Sequence, residues 1–84
     1  MEAGDIVISR AGHDSGKAFI VTSVVSDDFV LIADGATRKI ESPKLKRIRH
    51  LRAVGKSELD NPTNAKIRNR IKKFYSDGRL YAEK

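Results

Sequence analysis

The first 41 residues hold four short runs rich in Val, Ile, Phe and Thr: Ile6–Arg10, Lys17–Val25, Phe29–Ala33 and Thr37–Glu41. Turn residues separate them, as expected of β-strands that follow one another closely along the chain. "SDD" at 26–28 makes a tight connection, and "ADGA" at 33–36 carries an Asp-Gly pair, a strong short-range hairpin signal. The stretches "DIVI", "AFIVTSVV" and "FVLIA" are apolar on both faces, so alternation does not say which side faces inward. A small closed barrel, curled tightly enough to bury residues from both ends of a strand, accounts for this. With 84 residues and no cysteine, a single domain with a marginal core is expected, held by packing and not by disulfides.

The second half reads less plainly. In "SPKLKRIRHLRAVGK" at 42–56, Leu45, Ile48 and Leu51 recur every three residues, which suggests a short helical turn. Leu51, Ala53 and Val54 then read as a last strand, and Pro43, which cannot donate to a ladder, marks the start of the segment. "GKSELDN" at 55–61 is a polar linker, so the chain divides into a β unit at 1–56 and a linker with one helix at 57–84. For the helix, Asn61 is the expected cap, Pro62 the first position and Asp77–Gly78 the end. Ile67, Ile71 and Phe74 form its apolar stripe with Tyr75 beside it, and Lys66, Arg68, Arg70, Lys72 and Lys73 occupy the flanks and the back. The stripe is expected to dock on the β unit; the alternatives are a partner protein or an anionic membrane surface. The expected architecture is mainly β, a five-stranded barrel followed by one α-helix.

The residues exclude several chemistries. His13 and His50 are the only histidines, and no carboxylates cluster with them in sequence, so no metal site is expected. "GHDSGK" at 12–17 is one residue short of a phosphate-binding loop, and Ala18 stands where the Mg²⁺-binding hydroxyl belongs. It also runs into a β-rich stretch, not into a helix whose N-terminus would hold phosphate. Ser15, His13 and Asp14 sit in one turn and point apart, whereas a nucleophile and its base converge from distant positions. No catalytic constellation is found, so a non-enzymatic protein without cofactor or small-molecule substrate is expected. The N-terminus lacks the pattern of a signal peptide, and no apolar run approaches the roughly 20 residues of a membrane helix, which points to the cytoplasm.

What remains for Gly12 and Gly16 is the turn itself. Glycine adopts positive φ without steric cost, so the pair lets the chain reverse and brings its backbone close to a partner. Gly4, Asp5, Gly12, Gly16, Lys17, Val21 and Val24 stand in the order of the KOW motif, which this stretch resembles. The likeness covers residues 4–54 and is to the KOW domains of archaeal and eukaryotic large-subunit ribosomal proteins and to small bacterial KOW RNA-binding proteins. Many KOW motifs carry a further glycine after the Gly-Lys pair, where this chain has Ala18 and Phe19. The resemblance implies an SH3-like barrel that binds RNA, with contacts from the loop at Ala11–Lys17. Gly12, His13, Gly16 and Lys17 lie in that loop, and Lys17, with Arg10 at the other stem, can reach phosphate.

Charge points the same way. Residues 1–37 hold two basic and six acidic side chains, and residues 38–84 hold fifteen basic and five acidic, within a net charge of +6. Such a basic half suits a polyanion, although a solvated surface is the plain alternative. Lys44, Lys46, Arg47, Arg49 and Arg52 occur with no acidic residue among them, Arg38 and Lys39 lie just before, and His50 is placed to stack or donate. Lys66, Arg70 and Lys73 of the helix extend the surface. Phe19 and Phe29 read as core, leaving Tyr75 and Tyr81 as the aromatics open to bases. So few platforms favour folded RNA read through phosphates, sugars and shape. Ribosomal RNA is the expected partner, with ribosomal proteins possible neighbours, in an accessory, assembly or translation role. A protein-interaction module and a general nucleic-acid binder are the rivals.

Overall fold

Strand β1 (Asp5–Ser9), β2 (Ala18–Val24), β3 (Phe29–Ala33), β4 (Lys44–Arg47) and β5 (Leu51–Lys56) precede one helix, α1 (Asn64–Ser76). The computed structural model describes residues 1–58 and 60–76. The first three strands form on the β-branched runs expected to make them. The fourth run does not: Thr37–Glu41 is a series of turns, and β4 lies further on, in the first part of the stretch where the sequence suggested a helical turn; the turn itself forms just after it, as a 3-10 turn at Ile48–His50. The chain turns at the Asp-Gly pair, with the Asp34 and Gly35 N–H groups both donating to Arg38 O at 2.9 and 3.0 Å, but residues 34–43 separate β3 from β4, so the pair does not make the tight hairpin expected of it. Thereafter the backbone turns to the helix. The Ile40 N–H donates to Asn64 Oδ1 at 2.9 Å, and Asn64 Nδ2 donates to both Glu41 carboxylate oxygens at 3.0 Å. A segment anchored so cannot also lie along β3.

All pairings are antiparallel, in the order β4-β3-β2-β1-β5. The two edge strands, β4 and β5, are joined by a 3-10 turn of only three residues, Ile48–His50. Three residues span at most about 14 Å between flanking Cα atoms, so the sheet must curl until its edges approach at this end. No ladder joins β4 to β5 among the described residues, and the expected closed barrel is therefore a curled, open sheet. Side chains bridge part of the opening. Lys44 Nζ pairs with the Asp14 carboxylate, and Lys46 Nζ donates to Ala11 O at 3.2 Å, both in the β1–β2 loop.

Both sheet faces are buried, which explains strands apolar on both sides. One face carries Val7, Phe19, Val21, Val30, Ile32 and Leu51, with Ile48 beside them. The other carries Ile6, Ala18, Ile20 and Ala33, covered by Ile67, Ile71 and Phe74 of α1. The helix stripe thus packs on the sheet. Phe74 lies against Gly55, where an added Cβ would stand 2.8 Å from the ring. Phe29 departs from its expected place in the core: it is half-buried, and the Arg47 guanidinium sits 4.8 Å from its ring centroid. The helix cap also differs. Thr63 Oγ1 accepts the Lys66 N–H at 3.1 Å, while Asn61 sits at φ 49, a left-handed turn that asparagine tolerates. The expected helix end at Asp77–Gly78 and Tyr81 lie outside the described residues.

Candidate nucleic-acid interface

The β1–β2 loop is built from its stem outward. Ser9 is buried; its N–H donates to Lys17 O at 3.0 Å, its carbonyl accepts the Gly16 N–H at 2.8 Å, and its hydroxyl donates to Ala11 O at 3.1 Å. Beyond this stem the chain makes a 3-10 turn at Gly12–Asp14, with Gly12 at φ 75 and Gly16 at φ 86. These positive angles are what demand glycine, since a Cβ at Gly16 would meet nothing within 4 Å. His13 and Lys17 are exposed at the tip and base, and Arg10 is exposed at the other stem, its N–H donating to His50 O at 2.8 Å. The loop backbone therefore stands open to a partner, held from behind.

Asp14 sits among three lysines. Its carboxyl is held below the usual carboxylate range, first by the hydrogen bond from Lys44, against the opposing effect of burial, and then by the charges of Lys44, Lys46 and Lys17. The sheet curl thus gathers residues 30 positions apart into a cluster with an excess of positive charge. Lys44 and Lys46 are half-buried, their stems sharing a sheet face with Ile32 and Val30, to which they are paired. They act first as struts for the loop.

The other expected residues fall into separate places. Arg47 and Arg49 are exposed beside Asp27 and Asp28 in a shallow depression, and the Ile48 N–H donates to Asp28 O at 2.8 Å. The dense basic run at 44–52 is therefore divided: alternate lysines turn to the loop, and the arginines turn to the acidic β2–β3 turn. Arg52 is exposed on β5 opposite Ile8, and His50 is half-buried beside the Arg10 stem. Arg38 and Lys39 are exposed on the β3–β4 loop.

On α1, Lys66, Arg70 and Lys73 lie toward the linker and β5. Lys66 and Arg70 border a hollow with Glu58 and Asp60, Arg70 and Lys73 one with Gly55 and Ser57, and Lys66 Nζ donates to Asn61 O at 3.1 Å. The opposite flank carries Arg68 and Lys72, which the sequence reading did not single out as binding residues. They border a groove with Lys17, Asp34 and Tyr75. Both flanks of the stripe are basic in sequence, and only the docking of α1 decides which one meets Lys17. A scan against protein-family models finds no match to this chain, and no curated protein matches it significantly.

Proposed function

We propose that this chain is a non-enzymatic RNA-binding protein of the KOW kind that docks on structured ribosomal RNA from the β1–β2 loop end of its sheet. The observation that carries the reading is the loop itself: two positive-φ glycines, an open backbone, and Lys17, Lys44 and Lys46 around a single carboxylate, with Arg10 and His13 exposed beside them. Phosphate neutralisation with counterion release supplies the affinity. The glycine-shaped loop sets the orientation, because Gly12 and Gly16 let its backbone come close to the RNA. Arg38 and Lys39 extend the surface, and the cytoplasm and the ribosome are where such a protein works.

A salt series tests this. Binding of labelled ribosomal RNA fragments should weaken steeply between low and moderate salt, and Arg10→Ala with Lys17→Ala should reduce the log–log slope by about 2. No binding at about 100 mM salt would overturn the proposal. One observation favours a second reading, a protein-docking module: Val24, Val25 and Leu45 are exposed, and Leu45 lies on an edge strand.

A further inference from the structure

Between the β3–β4 loop and α1 runs an open, shallow groove. Its floor is apolar: Ile71 is buried, and Tyr75 is half-buried and packed against the core. It is bordered by Lys17 from the end of the β1–β2 loop, by Arg68 and Lys72 from the helix and by Asp34 from the β3–β4 loop. Arg68 is fixed in place, its guanidinium donating to Gly35 O at 2.6 Å. Asp34 is fixed as well, with Oδ1 accepting the N–H groups of Ala36 and Arg38 at 2.9 and 2.8 Å. The close approach of loop and helix depends on Gly35 at φ 78, where a Cβ would stand 2.2 Å from Asn64 O.

We infer that this groove takes one unstacked nucleotide extruded from the bound RNA. The Tyr75 ring with Ile71 beside it suits the base, and base–aromatic stacking tolerates any base. Cations on two sides suit its phosphates, and the carboxylate suits a ribose hydroxyl, an arrangement also used for ribose elsewhere. Lys17 belongs both to this groove and to the β1–β2 loop, so the two surfaces are continuous. The inference rests on the RNA-binding reading and adds to it a place where a single base is held.

The test uses two labelled RNA hairpins with the same stem, one with a single bulged nucleotide and one fully paired, and the full chain. The bulged hairpin is expected to bind about tenfold more tightly, and Tyr75→Ala should bring that ratio close to one. Because Tyr75 also packs on the core, Lys72→Glu serves as a second variant and should reduce the ratio, with the melting temperature of both variants measured alongside so that a loss of fold is told from a loss of the site. Equal binding of both hairpins by the natural chain would overturn the inference and leave RNA binding standing. So would a preference unmoved by either variant. No binding of either hairpin would remove the RNA reading itself. Uridine monophosphate at micromolar concentration is the further arm. If it fills the groove alone, the site belongs to a free nucleotide and extrusion from RNA is wrong.

Discussion

Asp14 is the residue on which the loop and the sheet edge meet. Its pairing with Lys44 holds the β1–β2 loop over the open side of the sheet. The lowered carboxyl pKa, due first to the Lys44 hydrogen bond, means that the folded state binds this proton less readily than the unfolded chain. The stabilisation is therefore present above the ordinary carboxylate pKa of about 4 and is lost as pH falls through the lower folded value. Asp14→Asn is expected to cost about 0.5–1 kcal/mol at pH 7, the scale of a partly exposed pair. Urea unfolding should show that difference shrinking toward pH 3; an equal loss at both pH values would contradict the ion pair as its cause. At Gly35 the constraint is steric. The positive φ and the 2.2 Å approach to Asn64 O leave no space for a side chain, and Gly35→Ala is expected to destabilise by about 2 kcal/mol. An unchanged melting temperature would mean that the loop moves aside freely.

Among the elements, β1, β2 and β3 were legible because β-branched runs bracketed by turn residues have few other solutions. Strand β4 was not. "KLKR" has leucine at a helical spacing, and nothing local says that two lysine stems line one face of a curled sheet. Thr37–Glu41 misled in the opposite sense, since its strand-forming residues are claimed by Asn64, 24 positions from Ile40. The helix was legible from its stripe, but its start was not, because the Thr63 hydroxyl accepts the first-turn N–H while Asn61 sits in a left-handed turn two residues earlier. Docking of α1 completes one of the two cores. Ile67, fully buried, is the central contact, and Ile67→Ala is expected to cost about 2–4 kcal/mol in thermal or urea unfolding. A loss below about 0.5 kcal/mol would mean that the helix is not packed on the sheet in solution.

At the scale of the whole molecule, the fold redistributes the charge that the sequence segregates. The run at 44–52 looked like one basic surface, yet β4 sends its lysines to the loop and the connection to β5 leaves Arg47 and Arg49 beside Asp27 and Asp28. Proximity of this kind depends on long-range pairing, which spacing along the chain does not encode. The glycine loop was legible because positive φ leaves a local mark in the residue type. The groove that unites Lys17 with Arg68 and Lys72 was not. Acidic neighbours weaken the attraction of Arg47 and Arg49 for phosphate. Arg47→Ala with Arg49→Ala should therefore reduce RNA affinity less than Arg10→Ala with Lys17→Ala does, when both are measured at the same salt concentration. The reverse order would move the interface to the β2–β3 end.

The central proposal, docking on ribosomal RNA, is tested most directly by in-cell ultraviolet crosslinking and sequencing of the RNA attached to this chain. Crosslinks concentrated at one site in ribosomal RNA are the expected result. Reads scattered over many transcripts would contradict a preferred ribosomal site, and almost no attached RNA despite good expression would contradict RNA binding altogether.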